Sequence, residues 1–118
     1  MRSLAATAMA GLALLVAAAG AGAAGAPRYD VPAGYTRCPT AEAWNGFFKW
    51  ASVRRTTCRD ATAFMRAYAD AVHGASMPRR ARGFRCAIRY WRDADGDIYA
   101  SRQSCRRGVV TIRFYGMS

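Results

Sequence analysis

His73 is the only histidine of the 118-residue chain and Glu42 its only glutamate. General acid–base work needs two titratable groups within hydrogen-bond reach of one substrate. Asp70, one helical turn before His73, is the partner that the spacing offers, and arginines around such a pair would suit a secreted nuclease or other hydrolase. A histidine in the last turn of a helix is also explained by the helix dipole, which favours a cation there. No Ser/His/Asp constellation can be assembled, and no glycine-rich phosphate loop is present. The chain therefore reads as non-catalytic, with a hydrolase using His73 as the alternative. Asp93-Ala94-Asp95-Gly96-Asp97 has the alternating carboxylates and glycine that open a calcium loop. The terminal acidic ligand falls instead on Gln103 or Ser104. The same residues make an ordinary hairpin turn, so Asp93, Asp95 and Asp97 are an incomplete calcium candidate and no cofactor is expected.

Arginine is the more conspicuous chemistry. Of 18 basic residues 17 are arginine, set against 7 acidic ones. Guanidinium groups interleaved with Tyr and Trp suit polyanions, because the planar donor fork matches phosphate and the same group stacks on aromatic rings. Arg85, Arg89, Arg107 and Arg113 are expected on one open sheet face or its rim, with Arg79, Arg80 and Arg82 extending the positive region. Partners of the matching chemistry are anionic polymers and membrane or cell-wall surfaces. Nucleic acid has the same chemistry but is less favoured. A solvated basic surface, enriched in Arg over Lys by a GC-rich genome, is the plainer explanation of the same residues. The Met77–Gly83 segment, basic and next to a cysteine-bearing strand, also has the look of a protease-inhibitor loop presenting Arg79 to Arg82. As a plain connector it would be an easy cleavage site.

Cys38, Cys58, Cys86 and Cys105 are separated by 19, 27 and 18 residues. Zinc modules bring their ligands in close pairs, and no C-x-x-C is present. An even count in a small exported domain reads instead as a disulfide framework. Three pairings are possible. Cys38–Cys58 with Cys86–Cys105 is favoured, because Cys86 and Cys105 flank an expected hairpin at nearly matched distances from its turn.

Export is read from the front of the chain. Met1-Arg2, an apolar run from Leu4 to Ala19 and the small residues to Ala24 form the three-part plan of a signal peptide. The run of about 16 residues is shorter than the ~20 that cross a bilayer. Cleavage is expected after Ala21 or Ala23, and no transmembrane segment after it. Losing residues 1–23 removes Arg2 and no acid, leaving 17 basic and 7 acidic side chains and a net charge of +10. A domain this small buries only roughly 60–65% of its unfolded surface, so cross-links matter.

The elements that must position these residues form an α+β domain in the order β-α-β-β-β over residues 38–118, after an irregular lead-in over 24–37. One helical turn is expected at Thr40–Trp44 and a strand at Phe47–Val53. A helix follows from Cys58 to His73, capped by Thr57 with Asp60 and ended by Gly74. Its apolar stripe is Ala61, Phe64, Met65, Tyr68, Ala69 and Val72. Strands at Phe84–Trp91, Ile98–Cys105 and Val109–Tyr115 complete an antiparallel sheet with one face on the helix.

Three short signatures, Thr56-x-Cys58-x-x-Ala61, Gly83-Phe84-Arg85-Cys86 and the Cys105–Phe114 run, resemble small secreted four-cysteine proteins of high-GC actinobacteria. The likeness covers residues 50–115. It implies export, a cysteine-capped helix and a short C-terminal sheet, and it carries no activity.

Overall fold

The structure is a computed structural model that describes residues 25–118. The leader expected over residues 1–23 lies outside the described residues. Six strands and one helix follow in order: β1 (Thr36–Cys38), β2 (Phe48–Arg54), α1 (Cys58–Asp70), β3 (Arg80–Ala81), β4 (Phe84–Arg92), β5 (Ile98–Arg107) and β6 (Val110–Met117). The strands form one antiparallel sheet in the order β1-β2-β6-β5-β4-β3. The helix carries the chain from β2 to the far edge at β3, and the meander β3 to β6 then walks back to close against β2.

The α+β class holds, with two short edge strands beyond the expected β-α-β-β-β. β3 exists because Arg82 and Gly83, both at positive φ (51° and 81°), make a two-residue turn between the paired Ala81 and Phe84. Two left-handed central residues define the turn whose twist matches a hairpin, and Gly83 adopts that conformation at no steric cost. The helical turn expected at Thr40–Trp44 does not form. Trp44 and Asn45 also take positive φ. The chain reverses there, and Ala43 and Phe48 exchange two hydrogen bonds of 3.1 Å each.

α1 begins as its sequence dictates. Thr57 accepts a hydrogen bond from the Asp60 backbone N–H at 3.1 Å, while the Asp60 carboxylate accepts from the Thr56 hydroxyl. The helix ends earlier than expected, at Asp70 with Ala71 as its C-cap. Ala71 and Val72 donate to carbonyls three residues back, tightening the last turn. His73 therefore lies beyond the helix, in an exposed turn that bridges to Ser76.

Aromatic packing holds the helix to the sheet. Tyr68 meets Phe48 and Phe114 edge-on at 5.5 and 5.2 Å. Phe64 meets Phe84 at 4.5 Å. Such ring pairs are worth about 0.5–1.5 kcal/mol each beyond their burial. Two disulfides close the frame in the favoured pairing. Cys38–Cys58 ties the edge strand β1 to the first residue of α1. Cys86–Cys105 joins residues directly opposite each other in β4 and β5.

The lead-in has no regular structure before Thr36, yet it belongs to the domain rather than forming a tail. The Tyr29 ring stacks on Trp50 at 5.9 Å. Its hydroxyl donates to the Ala51 carbonyl and accepts from the Cys38 N–H at 3.1 Å. Cys38 and Ala51 face each other in register beside a bulge in β2 between Lys49 and Ser52. The phenol fills the gap that the bulge opens in the ladder. Residues 25–35 thus run as a strap over the sheet face opposite the helix.

Candidate functional site

Side chains alternate between the two faces of a strand, and directly opposed residues share a face. Cys86, Cys105 and Ile112 line up across β4, β5 and β6 on the helix side. The neighbouring register positions therefore point away from the helix, and they form rows across the open face.

The first row is Arg80, Arg85, Arg106, Thr111 and Arg54. A second row, about 7 Å along the strands, is Ala87, Ser104, Arg113, Ser52 and Arg37. The third is Arg89, Arg102, Tyr115 and Lys49. Three pairs of arginines stand directly opposite each other: Arg80 with Arg85, Arg85 with Arg106, and Arg89 with Arg102. Like charges in that position are destabilising, by amounts up to ~1 kcal/mol a pair. Among the described residues the one ion pair, Arg113 to Asp30 of the strap at 3.7 Å, involves none of these arginines.

The strap rests on the far end of this face. Arg113 also donates to the Asp30 carbonyl at 3.2 Å and to the Tyr115 hydroxyl at 3.4 Å. Arg37 lies over the Tyr29 ring at 4.1 Å. Burial pushes the Tyr29 phenol above its ordinary value of 10.0, against the opposing pull of the Cys38 N–H and Arg37. Trp91, Ala100 and Tyr115 form a second small core beneath the strap with Trp50 and Met117. Arg89 and Arg102 sit over the Trp91 ring at 4.3 and 5.9 Å. A cavity of about 230 Å³ remains between strap and sheet, bounded by Arg28, Asp30, Arg89, Trp91, Arg102 and Tyr115.

Of the arginines expected on the open face, Arg80, Arg85, Arg89 and Arg113 share it. Arg107 does not. Its register partner is Val110, and its guanidinium covers the Phe84 ring at 4.5 Å on the helix side. There it donates to the Arg82 carbonyl at 3.1 Å. Arg82 and Arg107 instead border a groove of about 440 Å³ floored by Phe64, Phe84 and Ile112, with Asp60 opposite. Arg79 is exposed, and its carbonyl accepts from the Cys86 N–H at 2.8 Å. The Arg79–Arg82 segment is thus a hydrogen-bonded hairpin at the sheet edge and not a loose connector.

Arg28, Arg37, Arg54, Arg102, Arg106, Tyr29 and Trp91 join the site without having been singled out. For Arg102 and Arg106 the signal was available, because a Cys86–Cys105 bridge fixes the parity of both hairpin strands. Arg54 lies beyond the β2 bulge, which breaks the parity rule, and the strap residues carry no periodic pattern.

The three aspartates of the β4–β5 turn do not converge. The Asp93 carboxylate accepts from the backbone N–H groups of Asp95 and Asp97 at 2.9 and 3.0 Å, closing the turn on itself. Among the described residues no group of three His, Cys, Asp or Glu side chains could hold a metal ion. No helix among them is long and apolar enough to cross a membrane. His73 lines neither of the cavities described above.

No family model, curated protein or solved structure matches this chain. What the open face can do chemically follows from its geometry. It presents rows of permanently charged donors about 7 Å apart, with small residues (Ala87, Ser104 and Ser52) between them and aromatic rings at one end. It offers hydrogen bonds to oxyanions.

Proposed function

We propose that the protein is an exported, non-catalytic module that holds anionic polymers of the cell envelope or its surroundings against the open face of its sheet. The carrying observation is the set of directly opposed arginine pairs, Arg80–Arg85–Arg106 and Arg89–Arg102, none of which meets a carboxylate in an ion pair among the described residues. A surface that is merely soluble does not need like charges in register. A chain of phosphates or carboxylates laid across the rows relieves the repulsion and releases its own counterions. Two disulfides in so small a domain indicate an oxidising compartment, and the leader-like first 23 residues supply the route to it. The resemblance to small secreted four-cysteine proteins agrees with this address.

Retention on immobilised heparin or a phosphopolymer tests the reading. The wild-type chain is expected to elute at rising salt. Arg85→Gln/Arg106→Gln should elute earlier and lower the slope of log affinity against log salt by roughly 1.5, at ~0.7–0.9 per lost phosphate contact. Arg59→Gln/Arg66→Gln, on the exposed side of α1, should leave the slope unchanged. Equal effects of both pairs, or no retention at low salt, would discard the proposal.

A further inference from the structure

We propose that the cavity between the strap and the sheet seats one tetrahedral dianion: a phosphate, either free or as the terminal monoester of a larger molecule. The inference rests on the anion-binding reading of the same face, and adds to it a discrete ligand bound one to a chain.

The walls of the cavity donate and scarcely accept. Arg28 from the strap, Arg89 from β4 and Arg102 from β5 bring three guanidinium groups to about 230 Å³. The only carboxylate there, Asp30, is engaged by Arg113 at 3.7 Å. Trp91 is 7% exposed, and its indole N–H is buried without an acceptor among the described residues. The Nε–H of Arg113 is buried in the same condition. Buried polar groups in folded proteins are nearly always paired. The Trp91 donor belongs to a residue lining the cavity, and an oxyanion seated there would supply its missing acceptor. Arg89 and Arg102 both lie over the indole ring, at 4.3 and 5.9 Å, and its N–H is kept from solvent.

Size and charge narrow the ligand. Clefts that enclose a whole drug-sized molecule run to ~300–1,000 Å³, and this one is smaller, room for a headgroup. Donors arrive from the strap, β4 and β5, and convergence from three directions suits the oxygens of a tetrahedral ion better than the flat edge of a carboxylate. Three unanswered positive charges favour two negative ones over one.

The test follows the Trp91 indole N–H by NMR, assigned with Trp91→Phe, while the disulfide-bonded chain is titrated at constant ionic strength. Inorganic phosphate should shift that resonance saturably. A phosphomonoester loses its second proton near pH 6 and the inorganic ion roughly one unit higher, so the apparent affinity of a dianion seat for phosphate should rise at least ~10-fold between pH 5 and pH 7. Sulfate, a dianion at both pH values, should bind without that rise. It also reports any change arising from the groups that face the cavity, Asp30, Tyr115 and the three arginines. Arg28→Gln and Arg102→Gln should each weaken phosphate about tenfold, as loss of a charged hydrogen bond does. Arg85→Gln/Arg106→Gln should leave it unchanged. Glycerol 3-phosphate binding as well as inorganic phosphate assigns the seat to terminal phosphoryl groups, and its exclusion assigns the seat to the free ion. An indole resonance that neither anion moves, or that chloride moves equally, overturns the proposal. If heparin retention persists in that case, only the cavity assignment falls; loss of both removes the face reading too.

Discussion

Tyr68 shows how one hydroxyl is committed in a core with little to spare. Its side chain is fully buried and donates to the Pro78 carbonyl at 2.7 Å, fastening the connector after α1 to the helix. Burial, with a smaller contribution from neighbouring Tyr90, pushes its phenol well above the ordinary value of 10.0. A raised value means that the folded state keeps the proton while the unfolded chain releases it. Tyr68 therefore contributes full stability below about pH 10 and loses it as pH climbs beyond, with Tyr29 acting in the same sense. Tyr68→Phe is expected to lower stability at pH 7 by about 1 kcal/mol and to flatten the alkaline decline. Urea midpoints between pH 7 and pH 11 read both effects. Gly116 is the opposite case, a residue defined by what it lacks. A Cβ there would meet Phe47 Cε1 at 2.7 Å, the Ser101 hydroxyl at 2.9 Å and Phe48 Cε1 at 3.1 Å. Gly116→Ala should destabilise by roughly 1–3 kcal/mol through overpacking, checked by the same denaturation.

At the scale of elements, the two bridges do different work. Cys86–Cys105 spans a hairpin whose ladder already pairs those residues. Cys38–Cys58 fastens a three-residue edge strand to a helix terminus, where few hydrogen bonds would otherwise hold it. Each closes a loop of about 20 residues, worth roughly 3 kcal/mol by chain entropy. Replacing Cys38 and Cys58 by Ala should cost about that much and speed amide exchange in β1 and in the first turn of α1 more than in β4 and β5. Exchange accelerated evenly across the sheet would show the bridge acting only on the unfolded chain. The helix, the three long strands and both pairings were legible in the sequence, because capping, apolar periodicity and cysteine spacing are local signals. The strap was not. Its hold comes from single side chains, the Tyr29 ring and the Asp30 carboxylate, meeting a surface assembled from distant strands. No pattern within residues 25–35 announces that surface.

Across the whole molecule the charges are sorted. Asp93, Asp95 and Asp97 occupy the β4–β5 turn at one end of the sheet. Arg54, Arg106 and the Arg82 and Arg107 pair gather at the other. With a net charge of +10 expected after leader removal and one ion pair among the described residues, repulsion opposes the fold more than salt bridges support it. Raising sodium chloride from about 0.02 to 0.5 M should therefore raise the melting temperature, the reverse of a fold held by surface ion pairs. A polyanion at a hundredfold its dissociation constant should add ~2.7 kcal/mol, on the order of 10 °C for a domain of this size. Calorimetry with and without heparin measures both. The outline of this polarity was readable from the arginine count. Which arginines share a surface was readable only along the hairpin, where the Cys86–Cys105 bridge sets the parity and puts Arg106 and its sequence neighbour Arg107 on opposite faces.

That adjacency gives the Cys86–Cys105 link a second meaning. Sliding β5 past β4 by a single position would turn Arg102 and Arg106 inward and bring Gln103 and Arg107 out, scrambling the rows without changing one amino acid. A covalent bond between opposed positions forbids the slide. Oxidation of one thiol pair thus works as a compass for the hairpin, fixing which way its arginines look before anything docks there.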